Sequence, residues 1–156
     1  CGYGRDAKIF FDKGYNVIGV DLSEKMIEAA KKRVKNAEFK VMDMLNLDFK
    51  NSLFDGIWAN ASFLHIPNKS MATAIKECHR VLKDKGILYL SVKEGKGEGI
   101  RSDERYGGVK KFRTYFQKSE IENLLVDSGF NIIKSYVKLG KGDYYTHPFI
   151  CVFARK

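Results

Sequence analysis

The apolar positions of the chain follow two spacings that alternate along the sequence. Short runs rich in β-branched residues are typical of buried strands in a parallel sheet, and they occur at 16–21 (NVIGVD), 38–43 (EFKVMD) and 54–59 (FDGIWA). Between these runs, apolar residues recur every three or four positions, as on one face of a helix. Segment 5–13 is one predicted helix, and Ser23 is the predicted N-cap of another. The first half of the chain therefore alternates helix and strand.

A second strand–helix–strand unit is predicted in the middle of the chain. Pro67 and Ser70 precede residues with helical spacing, and after a turn at Asp84-Lys85-Gly86 the apolar run 87–93 (ILYLSVK) predicts a strand. The next segment, 94–111, is rich in glycine and charge and is interpreted as a long loop.

The end of the chain predicts one more helix and a hairpin. Ser119 and Glu122 have the spacing of a capping box, and the helix that follows is expected to end at Gly129. Two strands, 130–138 and 148–154, then form a C-terminal antiparallel hairpin. The series predicts a single α/β domain over 1–156, with a doubly wound, Rossmann-like and mostly parallel sheet.

Composition limits the classes of function. A hydrophobic fraction of 44% in 156 residues suffices for one core, and we expect neither a membrane span nor a targeting leader. Three scattered cysteines and three histidines suggest no disulfide framework and no metal site, which favours the reducing cytoplasm. The net charge of +9 permits nucleic-acid binding, but the charge is dispersed and does not favour it.

Candidate chemistry lies at the ends of the first predicted strands. Glycines in Gly2-x-Gly4, just before a helix, would let backbone N–H groups approach a ligand closely. Asp21 ends the next strand, where an acid accepts hydrogen bonds from ribose hydroxyls, and Asp43 ends the one after it. Together they indicate a nucleoside ligand, although each aspartate alone could be an ordinary turn or helix N-terminal acid.

A series of motifs in this order resembles class I S-adenosylmethionine-dependent methyltransferases, of the type 11/12-like domain. The segments that carry the resemblance run from 1 to about 93 and read CGYGRD, VIGVDLS, VMDM, FDGIWANASFLHIP and RVLKDKGILYLS. The resemblance implies the cofactor S-adenosylmethionine and no metal. It also implies that the chain begins inside the glycine-rich first motif, after a first strand that carries an acidic D-x-G.

The resemblance assigns roles at the cofactor. Gly2 and Gly4 would line its methionine part, and Asp21 would hold both ribose hydroxyls. Leu22 and Met44 would lie on either side of the adenine, and Asp43 would accept a hydrogen bond from the adenine amino group. Asn60 and Ala61 would face the amino-acid end of the cofactor.

The missing strand leads to an expectation about pairing. In this fold it lies mid-sheet, between the strands at 16–21 and 54–59. We expect the natural protein to continue upstream of Cys1. In this chain the two strands would either pair directly or borrow a strand from a second copy, so strand exchange is one candidate oligomeric contact.

The methyl acceptor is predicted less directly. Segment 94–118 corresponds to a substrate lid in the family, and Arg105, Tyr106 and Tyr115 are candidate substrate contacts. His65 follows the fourth motif and could be a general base for an O–H or N–H nucleophile, or it could simply cap a helix or fix a loop.

The function predicted is methyl transfer by in-line displacement to a small-molecule acceptor, catalysed mainly by proximity and alignment. No N/D-P-P-Y/F signature is present, which disfavours DNA and glutamine as acceptors. The alternatives are an RNA or tRNA methyltransferase, a non-catalytic nucleotide-binding or scaffold domain, and an NAD-binding domain, which lacks its third glycine.

Overall fold

The structure is a computed structural model that describes residues 1–103, 107–139 and 148–156. Contacts divide the chain into two compact units, Cys1–Asp48 and Phe49–Lys156. No helix in the described ranges combines the length and apolar character that a membrane crossing requires.

The first unit contains two helices and two short strands. They are α1 (Arg5–Asp12), β1 (Ile18–Asp21), α2 (Glu24–Arg33) and β2 (Glu38–Val41). Strands β1 and β2 pair in parallel, and the unit's buried core consists of Ala7, Ile27, Ala30, Val34 and Phe39. The alternation predicted here is confirmed, and so is the N-cap, because the Ser23 hydroxyl accepts from the N–H of Met26 at 3.4 Å.

A close approach of the two helices explains the glycine that precedes α1. Gly4 has a φ of 81°, and a Cβ built on it would lie 3.1 Å from the Cβ of Ala30 in α2. Ala30 itself is fully buried. Both the backbone conformation and the packing therefore require glycine at this position.

The second unit is a six-stranded mixed sheet with helices. Its elements are β3 (Phe54–Asn60), a 3₁₀ turn (Phe63–His65), α3 (Asn68–Val81), β4 (Leu82–Glu94), β5 (Glu98–Asp103), β6 (Val109–Phe116), α4 (Lys118–Asp127), β7 (Asn131–Lys138) and β8 (Phe149–Arg155). The strand order is β5-β6-β4-β8-β7, and β3 also pairs with β4.

Strand β4 pairs with three of the other strands of this sheet, β3, β6 and β8. Strand β3 pairs with it in parallel as far as Ser91, and β6 pairs with it in parallel at Lys93 and Glu94. Strand β8 pairs with β4 antiparallel, and β7 pairs antiparallel with β8. The predicted terminal hairpin and the mixed α/β sheet are thus confirmed. Strands β1 and β3 belong to different sheets, so the direct pairing expected as one possibility is not observed.

The segment 94–111 is not the long loop that its composition predicts, and that prediction is wrong. It contains β5 and the start of β6, which pair antiparallel from Glu98 with Thr114 to Asp103 with Val109. The glycines that favour a loop mostly flank the strands, with positive φ at Gly97, Gly107 and Gly108. They shape the approach to the hairpin and its turn, while the strands between them pair regularly.

The predicted capping box of α4 is also wrong by two residues. Gln117 is the N-cap, its backbone N–H donates to the Glu120 carboxylate at 2.7 Å, and its side chain accepts from the backbone at that position. Strand β6 ends at Phe116, so the helix must be capped by the next residue and not by Ser119. Glu122 pairs with Lys118 on the helix surface.

The core of the second unit follows the predicted spacing of α3. Met71, Ala74, Ile75 and Val81 are fully buried, and Cys78 nearly so. Buried residues from α4 and the central strands complete this core: Ile121, Leu125, Leu88, Leu90, Val92, Ile150, Val152 and Ala154. Burial raises the pKa of the Cys78 thiol to about 12, so this cysteine is an inert part of the core.

The packing of Gly4 generates a stability prediction. Gly4→Ala should lower the free energy of unfolding by about 2–3 kcal/mol, from backbone strain plus the clash with Ala30. Gly14→Ala is the matched control, because Gly14 has a φ of 85° but no atom within 4 Å of the position that an alanine methyl group would occupy. It should cost only about 1 kcal/mol. Equal losses in urea denaturation would contradict this explanation.

Candidate active site

The first unit holds Asp21 in a defined position at the end of β1. Its Oδ2 accepts from the backbone N–H of Gly2 at 2.8 Å and from the amino group of Cys1 at 3.1 Å. Its Oδ1 accepts from the N–H of Ser23 at 3.0 Å. One carboxylate therefore connects the glycine-rich segment, the strand end and the start of α2.

These contacts also keep Asp21 ionised. Partial burial by itself would raise its pKa, but the hydrogen bonds from the backbone N–H groups of Ser23 and Gly2 lower it, and in this 156-residue chain the terminal amino group of Cys1 lowers it further. The net result is a pKa below the ordinary value. A carboxylate has about four lone-pair positions, and the backbone N–H groups of Gly2 and Ser23 take one on each oxygen. The remaining position on each oxygen suits a hydroxyl donor such as those of a ribose, and the amino group of Cys1 occupies one of the two in this 156-residue chain.

The two glycines of the first motif have different surroundings. Gly2 has a φ of 55°, and a Cβ built on it would meet no atom within 4 Å. Gly4 packs against Ala30 and is buried. Open space in front of the backbone is what a ligand cradle needs, so Gly2 fits that role and Gly4 has a packing role that explains it without a ligand.

The remaining predicted residues of the first unit lie at the same strand ends. Leu22 directly follows Asp21 and is 71% exposed, which is unusual for a large apolar side chain. Asp43 is exposed, and its Oδ1 accepts from the N–H of Leu45 at 2.9 Å, forming a side-chain turn. Met44 is half-buried. An exposed leucine and a half-buried methionine are suitable for contact with a flat ring.

In the second unit, Asn60 and Ala61 belong to a hydrogen-bonded network at the ends of β3 and β4. The hydroxyl of Ser91 donates to Oδ1 of Asn60 at 2.8 Å and accepts from the N–H of Ala61 at 2.8 Å. Ala61 has a φ of 54°, which is unfavourable for a residue other than glycine. The network holds this strained turn, and such strain is found preferentially at functional sites.

His65 lies in the 3₁₀ turn that follows, next to a buried ion pair. Nη1 of Arg113 on β6 is 2.7 Å from Nδ1 of His65 and 3.3 Å from Nε2. Nη2 of the same arginine donates to Oδ2 of Asp103 at 2.9 Å. Asp103 is 8% exposed and Arg113 is 6% exposed, so the pair is held rigidly.

The other predicted substrate residues are only partly described by the structure. Tyr115 lies on β6, half-buried and opposite Lys93 of β4. Arg105 and Tyr106 lie outside the described residues. The predicted residues are thus distributed over both units: Gly2, Gly4, Asp21, Leu22, Asp43 and Met44 in the first, and Asn60, Ala61, His65 and Tyr115 in the second.

Two residues of these networks are not among the predicted site residues. Ser91 is part of the apolar run ILYLSVK. It could have been identified from the sequence, because a hydroxyl group within a buried strand needs a hydrogen-bond partner. Arg113 carries no local signal, because its partner His65 is 48 residues away.

The match to a known family decides what these strand ends belong to. Residues 1–90 match a family model described as a methyltransferase domain. The chain belongs to this methyltransferase family. The class is the S-adenosylmethionine-dependent methyltransferases with a Rossmann-like α/β fold, as the motifs indicate.

Similar proteins support the same assignment. The chain is 40% identical over 74 residues to a demethylmenaquinone methyltransferase of Thermotoga maritima, an alignment that covers 47% of this chain and 31% of that protein. A crystal structure of an S-adenosylmethionine-dependent methyltransferase from Methanosarcina mazei superposes with a TM-score of 0.89 at 26% identity. That superposition covers 100% of this chain and 89% of the other.

A more distant solved structure has the same fold. It is the 1,6-didemethyltoxoflavin-N1-methyltransferase of Burkholderia thailandensis, with a TM-score of 0.79 and 24% identity over 99% of this chain and 67% of that one. The chain spans about a third of the length of the curated methyltransferases that it matches.

The Ser91 network generates a prediction about the turn after β3. Ser91→Ala should lower the free energy of unfolding by about 1 kcal/mol, because Oδ1 of Asn60 and the half-buried N–H of Ala61 each lose a hydrogen bond, while that N–H keeps its bond to the Ser91 carbonyl at 3.2 Å. Ser62→Ala is the control, since that hydroxyl makes only a 3.5 Å contact with the carbonyl of Asn60. Urea denaturation compares the two variants, and equal small losses would count against the network.

The lowered pKa of Asp21 generates a prediction about pH. Its contribution to stability is present above the ordinary carboxyl pKa, about 4, and is lost as the pH falls through the lower folded-state value. The stability difference between the parent and Asp21→Asn should therefore shrink as the pH falls below about 4. Asp12→Asn, at an exposed ion pair with Lys8, is the control. A difference that stays constant from neutral to acidic pH would contradict the prediction.

Proposed function

We propose that this protein binds S-adenosylmethionine through the strand ends of its first unit and transfers the methyl group to a small-molecule acceptor. The observation that carries the proposal is Asp21, an ionised carboxylate fixed between Gly2 and Ser23. The motif resemblance assigns the ribose-binding role to this acid, and the chain belongs to the methyltransferase family.

Each predicted residue has a role in this proposal. Asp21 accepts hydrogen bonds from the two ribose hydroxyls, which its anionic state favours. Leu22 and Met44 enclose the adenine, and Asp43 accepts from its amino group. The open backbone at Gly2 accommodates the methionine part, with Gly4 holding the helix behind it. The family resemblance assigns Asn60 and Ala61, in the second unit, to the amino-acid end.

The chemistry requires little from the side chains. When bound, S-adenosylmethionine supplies a methyl group that is already activated on a positively charged sulfur. The protein's task is to align the acceptor with that methyl group and to keep water away. The strained, network-held turn at Ala61 is suited to this task because it keeps the backbone in one conformation.

Two comparisons support a small-molecule acceptor. The Thermotoga relative is named for the methylation of demethylmenaquinone. The Burkholderia structure was solved with 1,6-didemethyltoxoflavin and S-adenosylhomocysteine bound. For this chain we propose that the hairpin of β5 and β6 covers the acceptor, with Tyr115, Arg105 and Tyr106 as contacts.

Calorimetric titration of the full-length protein with S-adenosylhomocysteine tests the cofactor part. We expect saturable binding, weakened about 10- to 100-fold in Asp21→Ala, because charge-assisted hydrogen bonds to the ribose are lost. Asp12→Ala is the matched control, with an exposed carboxylate in the same unit, and should bind like the parent.

Two outcomes would overturn the proposal. One is the absence of binding in the folded parent, and the other is equal affinity in the parent and in Asp21→Ala. A parallel titration with a single-stranded RNA at low and high salt distinguishes an RNA acceptor from a small molecule. Binding to RNA that falls steeply as the salt concentration rises would indicate the RNA acceptor.

A further inference from the structure

Helix α3 receives its N-terminal cap from the hairpin of β5 and β6. Pro67 is the N-cap residue of α3, and proline has no side-chain oxygen that could accept from the first turn. The backbone N–H of Asn68, the first helical residue, donates instead to the Glu98 carboxylate at 2.6 Å. Glu98 is 30 residues away in the sequence, at the start of β5. A carboxylate here also interacts favourably with the partial positive charge of the helix N-terminus.

Thr114 on β6 makes a second contact beside this cap. It is the cross-strand partner of Glu98 in the hairpin and is 1% exposed. Its hydroxyl donates to the carbonyl of Ile66 at 2.6 Å and lies 3.4 Å from the Glu98 carboxylate. A hydroxyl has a single proton, so the short contact with Ile66 is the hydrogen bond. Glu98 and Thr114 therefore bind the two peptide groups that flank Pro67.

The hairpin joins the main sheet only near its base. Strand β6 pairs with β4 at Lys93 and Glu94, whereas β5 and β6 pair with each other over their whole length. The link between β4 and β5 contains Gly97, which has a φ of 78° and no atom within 4 Å of a built Cβ. Beyond this base, the hairpin contacts the segment 65–68 of the same unit. The hydrogen bonds that hold the hairpin there are the same ones that hold the start of α3.

We propose that Glu98 and Thr114 are positioning residues that join the docking of the hairpin and the start of α3 into one cooperative unit. Loss of either hydrogen bond releases the hairpin and the segment 65–68 together, because each element supplies the other's partner. The segment follows the strained turn at Ala61 in the chain. That the acceptor site opens and closes with this unit rests on the proposed function, whereas the cooperative unit itself does not.

Hydrogen exchange of the full-length protein, measured by mass spectrometry, tests the unit without cofactor or acceptor. Glu98→Ala and Thr114→Val each remove one of the two hydrogen bonds. We expect each variant to accelerate exchange by about 5- to 30-fold in peptides from β5, from β6 and from 65–70, because the lost bond shifts a shared opening equilibrium. Peptides from β7 and β8 should exchange as in the parent.

Two control variants separate this effect from general destabilisation. Arg101→Ala lies on β5, where Arg101 is exposed and bonds to the carbonyl of its neighbour Ile100, and it should leave all these rates unchanged. Glu120→Ala removes a comparable helix cap, since Glu120 accepts from the N–H of Gln117 at the start of α4. It should accelerate exchange at the start of α4 and leave β5 and 65–70 at the parent rates.

A conservative variant keeps the test open if the alanine variant does not fold. Glu98→Gln retains an oxygen that can accept from the N–H of Asn68, so its exchange rates should lie between those of the parent and of Glu98→Ala. It and Thr114→Val then carry the test.

Two results would overturn the proposal. In one, the Glu98 variants accelerate exchange at 65–70 while β5 and β6 stay protected, so that Glu98 is a helix cap alone. In the other, Thr114→Val accelerates exchange in the hairpin while 65–70 stays protected. Titration of the same samples with S-adenosylhomocysteine keeps the two proposals apart, because absence of binding in the parent would refute the proposed function and leave the exchange result standing.

Discussion

The pairing of β4 on both of its edges is the constraint on which the second unit depends. One edge is occupied by β8 over 87–93, and the other is shared by β3 and then β6. Along this edge β4 pairs with β3 as far as Ser91 and with β6 from Lys93. The chain that follows β3 must therefore leave the sheet after Asn60. The turn at Ala61, the Ser91 network and the docking of the hairpin near His65 all follow from this exchange of neighbours.

A comparable constraint operates in the first unit at Asp21. The carboxylate replaces water with two backbone N–H donors, those of Gly2 and Ser23, so its position is determined before any ligand arrives. Preorganised charge of this kind lowers the cost of binding, because little rearrangement is needed. The same residue thus serves the fold and the proposed site.

The regular parts of the fold can be predicted because they depend on local patterns. Burial is predicted correctly by the helical spacing of Met71, Ala74 and Ile75, and also by the apolar run 87–93. Asp21 can also be predicted, since a strand end is readable from the sequence. The hairpin of β5 and β6 cannot, because the glycines around it indicate turns whether or not the residues between them pair.

The chemistry at His65 shows a second limit of sequence reasoning. Its position after β3 suggests a base, but its immediate surroundings include Arg113, which only the pairing of β6 with β4 brings close. The arginine is fixed in turn by Asp103 on the neighbouring strand. Such non-local contacts determine what a side chain does without leaving a periodic signal.

The most direct test of the proposed cofactor site is a crystal structure of the full-length protein with S-adenosylhomocysteine. We predict that both ribose hydroxyls lie within hydrogen-bond distance of the Asp21 carboxylate, with the adenine between Leu22 and Met44. A ligand bound with its ribose away from Asp21 would contradict the central claim.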